Sequence, residues 1–150
     1  MLSIADRAEI FRLGTIVGFF EPQESIAWAD AAIAAEDAPS DALIEVSMGA
    51  GANSAKMVSL LKDCAGDQTP GRPRDVFFGL LAEKLATDAG AAESIAYQLK
   101  TLRSAYDAPD AVMVEASNLA GPFAGDVAVA TAAVTAFLAP YAAHAAAWRA

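Results

Sequence analysis

A recurrence at a spacing of about 70 residues constrains this chain more than any other feature. Glu24-Ser25-Ile26-Ala27-Trp28 returns as Glu93-Ser94-Ile95-Ala96-Tyr97. Ala38-Pro39, Glu45, Ser47 and Ala50-Gly51 return as Ala108-Pro109, Glu115, Ser117 and Ala120-Gly121, with Leu43-Ile44 aligning on Met113-Val114. The offset changes by a single residue between the two blocks. A period of this kind marks a repeated supersecondary unit. Each copy would hold a long helix with an aromatic residue, a proline break and a short helix bearing Glu-x-Ser. Neither half is large enough to bury a stable core alone. The expectation is therefore one all-helical domain over residues 1–150, with halves of about 1–70 and 71–150.

The helical class follows from composition and period together. About a quarter of the residues are alanine, the best helix former and small enough for close packing. Strand formers are too scattered to build a sheet. The fold class is all-α, with about eight helices in two related four-helix halves. Ser3 is the expected N-cap of a first helix reaching about Phe20, with Ile10, Leu13, Val17 and Phe20 at helical spacing. Gly14 and Gly18 on that face would let another helix approach closely. Pro22 suits the first turn of a second helix, Ser40 caps a third and Asn53 a fourth. The turn-rich stretch 67–73 is the expected boundary between halves. Helices over about 74–89 and 92–106 follow, then a short one reaching Leu119 and a final alanine-rich helix that Pro140 kinks.

Charge narrows the function classes. The formal net charge is -9 and the isoelectric point about 4.4. Such a surface repels phosphate backbones, so nucleic acid is not an expected partner. It attracts basic proteins and speeds their encounter. The single cysteine, Cys64, excludes an internal disulfide and any multi-cysteine metal site. It reads as a small buried hydrophobe on a helix. Charged Asp6, Arg7, Glu9 and Arg12 stand where a signal peptide would need its apolar run. A cytoplasmic location is expected. Residues 127–148 carry no Asp, Glu, Lys or Arg and are long enough to span a bilayer, although alanine and Pro140 favour a buried core helix. No membrane association is expected.

No catalytic pattern stands out. With one histidine, His144, two-histidine metal motifs cannot be built, and no P-loop, GxSxG or GxGxxG occurs. No catalytic, cofactor-binding or metal-ligating residue is assigned. What remains is acid. No Lys or Arg occurs between Leu13 and Ala55, and Glu24, Asp30, Glu36, Asp37, Asp41 and Glu45 fall within that span. The second copy replaces Asp30, Glu36 and Asp37 by Leu99, Ala105 and Tyr106 and gains Lys100 and Arg103. The fold therefore does not depend on those carboxylates, and their clustering points to a function. Asp30 and Asp37 border the Ile26/Ile33 stripe and are expected to be half-buried. Trp28 is either a core residue or an anchor presented to a partner. Glu24, Trp28, Asp30, Glu36, Asp37, Asp41 and Glu45 form the candidate partner-binding surface. The alternatives are a carboxylate metal site or enzyme, with Asp37 or Glu45 turned into a concavity, and a homo-oligomer joined through the last helix.

The string WADAAIAAEDAPSDALIEVS, from Trp28 to Ser47, with Phe137-Leu138-Ala139-Pro140-Tyr141, resembles small acidic all-helical bacterial proteins of uncharacterised, immunity-protein-like type. That resemblance implies a bacterial cytosolic protein without an established enzyme activity. It also implies a toxin-neutralising role. The expected function is a noncatalytic module that docks a basic protein through an acidic helical face.

Overall fold

A computed structural model describes all 150 residues. It is all-α, as expected, with no strand. The chain forms two compact units, Met1–Arg74 and Asp75–Ala150.

The first unit holds α1 (Ile4–Ile16), α2 (Pro22–Ala35), α3 (Asp41–Ser47) and α4 (Ser54–Cys64). Ser3, Ser40 and Asn53 cap α1, α3 and α4, each side chain accepting a backbone N–H three residues on. α1 pairs with α4, and α3 packs against both α2 and α4. Ile10, Leu13, Leu43, Met57 and Leu61 are fully buried there.

α1 ends at Ile16, earlier than its apolar spacing predicts. Gly18 adopts φ 76°, a left-handed conformation that closes a Schellman turn. In that turn the Phe19 N–H donates to the Gly14 carbonyl (2.7 Å) and the Gly18 N–H to Thr15 (3.3 Å). The chain then folds back and lays the Phe20 ring over Gly14. The Gly14/Gly18 pair therefore serves a turn and a ring contact rather than a helix crossing. Phe11, Phe20 and Trp28 form an aromatic cluster, with the Phe11 ring 4.8 Å from Phe20 and 5.2 Å from Trp28.

α1 also buries charge that its sequence does not advertise. Glu9 and Arg12 form a bidentate pair, both contacts 2.6 Å, at 3% and 9% exposure. Asp6, likewise buried, accepts hydrogen bonds from the backbone of Ser3 and from the Thr69 N–H at 2.7 Å, tying the start of α1 to the 65–71 turn.

The second unit holds most of α5 (Arg72–Thr87), then α6 (Ala92–Leu102), α7 (Ala111–Ser117), α8 (Val127–Leu138) and a terminal turn, α9 (Ala146–Arg149). 3₁₀ segments follow α5, α6, α7 and α8. Pro140 has no N–H to continue the α ladder, and residues Ala139–Ala145 tighten into 3₁₀ geometry. At Gly79 of α5 this segment comes so close that a Cβ would lie 2.7 Å from both the Tyr141 carbonyl and the Ala145 nitrogen. Phe78 meets Phe137 and Tyr141 edge-on at 5.6 and 5.1 Å.

α8 departs from expectation. The sequence predicts a buried core helix, yet only Ala130, Val134 and Leu138 are buried, one residue per turn. Val127 and Val129 are 55% and 63% exposed. Of the apolar window within Val127–Arg149, 17% is buried, and by length and composition this is the one helical stretch able to cross a membrane. Alanine explains the exposure. Its methyl group forms helix readily and adds little apolar area to be withdrawn from water.

Candidate functional site

The acidic surface is built on α2 and α3. α2 starts at Pro22, whose fixed φ suits a first turn, and the Glu24 carboxylate accepts the Glu21 N–H at 2.7 Å. Trp28 is half-buried and stacks on Phe11, which fixes the rotation of α2 on α1. Ile33 is also partly covered, and α2 ends at Glu36 before the Pro39 break. α3 then runs over the Leu43 and Val46 core contacts. The Ser47 hydroxyl donates to Asp30, clamping the end of α3 to the middle of α2.

Glu24, Asp30, Glu36, Asp37, Asp41 and Glu45 are all exposed. The half-burial expected for Asp30 and Asp37 does not occur, because α2 rotates its Ser25/Ala29 edge inward. Glu45 borders a shallow groove beside the 49–52 turn with no second carboxylate in its lining, and no group of three His, Cys, Asp or Glu side chains converges to hold a metal ion.

The structure divides the predicted surface. Two shallow grooves flank the Gly-rich turn 49–52. One, of about 320 Å³, lies along Pro22, Ile26 and Asp30; the other, of about 290 Å³, lies along Glu45, Met48, Lys56 and Leu60. Asp30 and Glu45 thus stand on opposite sides of one turn, next to Met48, which is 72% exposed. Glu36, Asp37 and Asp41 lie at the far end, around the α2–α3 break. Trp28 lines neither groove. The sequence places a turn at Gly49, Gly51 and Asn53, as found, but does not signal the grooves beside it or the exposure of Met48.

Ser25 is fully buried with no hydrogen-bond partner for its hydroxyl. Cys64 is half-buried, and burial pushes its thiol pKa up, away from the thiolate a nucleophile requires.

In the second unit the α6–α7 pair sets two cations, Lys100 and Arg103, among the acids Glu93, Asp107, Asp110 and Glu115. α7 begins 70 residues after α3 and has the same length of seven residues. Asp110 caps it by accepting the Met113 N–H, as Ser40 accepts that of Leu43. Here the serine of Glu-x-Ser, Ser117, accepts a hydrogen bond from Arg103 at 3.3 Å, where Ser47 donates to an acid. A groove of about 470 Å³ opens beside it, lined by Lys100, Arg103, Ser104, Tyr106 and Asn118 among others.

Comparison with protein-family models, with curated proteins and with solved structures returns no match.

Proposed function

We propose that this chain is a noncatalytic, cytoplasmic binding module that docks a basic protein through the α2–α3 face, in the manner of an immunity protein. One observation carries the reading: seven carboxylates between Glu21 and Glu45, with no Lys or Arg among them, on a helix pair whose carboxylates face water. Uncompensated like charge on rigid elements costs stability and raises the encounter rate with a cationic partner. The Ser47–Asp30 clamp and the Trp28–Phe11 stack hold that surface in one geometry, which limits the ordering cost of docking. Glu24, Asp30, Glu36, Asp37, Asp41 and Glu45 supply the charge, Met48 and Ile26 the apolar contact, and Trp28 supports them from beneath. The recurring cap, helix length and Glu-x-Ser of α3 and α7 favour an origin by duplication, after which the copies share Glu24/Glu93 and Glu45/Glu115 but only the first holds acids at Asp30, Glu36 and Asp37.

The test is capture of the tagged full chain from bacterial cells beside its Asp41→Lys/Glu45→Lys variant. A basic protein held at low salt, released at about 0.5 M salt and lost with the variant is the expected result. Retention of the same partner by the variant would reject this face.

The exposed, uncharged length of α8 favours a second reading, self-association through that helix. A monomeric mass by light scattering across micromolar concentrations would exclude it.

A further inference from the structure

We propose that the α6–α7 groove of the second unit binds a small phosphate monoester, independently of any partner on the acidic face. The groove measures about 470 Å³, within the ordinary range for small-ligand sites. Two cations, Lys100 and Arg103, line it, and no carboxylate does. Asp107 and Asp110 flank the lining residue Pro109 in sequence, but neither lines the groove itself. Lys100 and Arg103 also complement the negative end of α6, since they close its last turn. That role accounts for the charges but not for the polar lining that accompanies them.

The remaining groups suit a tetrahedral dianion. Arg103 is steadied by Ser117, whose hydroxyl accepts from one guanidinium nitrogen at 3.3 Å and itself donates to the Val114 carbonyl at 2.8 Å. Ser117 is buried, so the hydroxyl that meets the exposed Arg103 is held in place by the unit's packing. The other guanidinium donors can meet two phosphate oxygens side by side, the geometry in which arginine recognises phosphate best. Lys100 adds the second positive charge, and the Asn118 carboxamide offers a further polar contact. Ser104 already donates to the Thr101 carbonyl at 2.7 Å, which leaves its oxygen to accept from a hydroxyl on the ester's organic part. The Tyr106 ring gives that part an apolar wall. Asp110, close by in sequence, is engaged at the α7 N-cap.

Phenyl phosphate is the probe, added to the full-length protein while amide resonances are followed by NMR. Shifts confined to residues 100–106 and 117–118, saturating with a Kd of about 1 mM or tighter, are expected. Lys100→Gln/Arg103→Gln should weaken binding by about tenfold or more, and Lys100→Arg should retain it. Both residues are exposed, so the variants' own spectra will report an intact fold. No saturation by about 10 mM, or equal binding by the double variant, overturns the proposal. Equal affinity for inorganic sulfate reduces the groove to a general anion contact and also overturns it. Vesicles containing phosphatidic acid separate a lipid headgroup from a soluble ester: binding to vesicles without binding to phenyl phosphate counts against the proposal.

Discussion

Asp6 illustrates how much a single side chain does in the first unit. Burial opposes its ionisation, but N–H groups of Thr69 and Ser3, with their hydroxyls, outweigh that and hold the carboxyl below its ordinary pKa. A folded pKa below the unfolded value means that Asp6 stabilises the fold fully above the unfolded pKa, about 3.9. The contribution is lost as pH falls through the lower, folded value. Asp6→Ala should therefore cost about 1–2 kcal/mol at pH 6, from the lost cap and the orphaned Thr69 N–H. Urea denaturation at pH 6 and pH 3 checks this: the gap between wild type and variant should narrow at the lower pH. A gap equally wide at pH 3 would show that the charge is not what matters. The sequence marks Asp6 as a weak capping partner for Ser3, and that much was legible. Its second partner was not, because Thr69 lies 63 residues away and no local pattern connects them. The same blindness covers Glu9 and Arg12, whose burial no local pattern reveals and which is seen only once α1 proves buried on nearly every side.

Helix starts were read well because their chemistry is local. Ser3, Ser40 and Asn53 cap where the sequence places caps, each needing only a side-chain oxygen and a free N–H three residues ahead. Helix ends and faces were read less well. The apolar spacing of Val17 and Phe20 fits a longer α1, but the same residues pack equally well once Gly18 turns the chain back. α8 misleads for a related reason: alanine satisfies a core pattern and an exposed one alike. Glycine at a close approach is a stricter signal. Gly79 has backbone atoms of the 3₁₀ segment 2.7 Å from where a Cβ would stand, and backbone cannot swing aside. Gly14 is opposed instead by the Phe20 ring, a side chain packed on Phe11 and Phe19, which can shift more than backbone can. Gly79→Ala should therefore destabilise by about 2 kcal/mol or more through overpacking, and Gly14→Ala by less. Thermal unfolding of the two variants tests the order; a larger loss at Gly14 would mean that the α1 turn is the stiffer of the two.

Over the whole molecule, charge is distributed against the needs of stability. The first unit carries eleven acids and six basic residues and the second eight and four, so neither is neutral. The placement is more telling than the totals. Glu36 sits at the C-cap of α2 and Glu45 in the last turn of α3, where the negative end of the helix dipole disfavours a carboxylate. In the second unit the corresponding end of α6 carries Lys100 and Arg103, the favourable sign, while α7 keeps Glu115 at the place of Glu45. A chain selected only for stability or solubility could place its acids at helix starts, as Glu24 and Asp41 are placed. Acids at the wrong ends of two neighbouring helices are what a docking surface for a cation would retain at some cost in stability. Glu36→Lys and Glu45→Lys should each raise Tm by about 1–2 °C, and the gain should shrink in high salt as screening removes the dipole and repulsion terms alike. The same two changes should weaken capture of a basic partner. Scanning calorimetry at low and high salt decides the first half. A fall in Tm for both variants would mean that these carboxylates stabilise the fold, and the case for a functional acidic face would lose its main physical support.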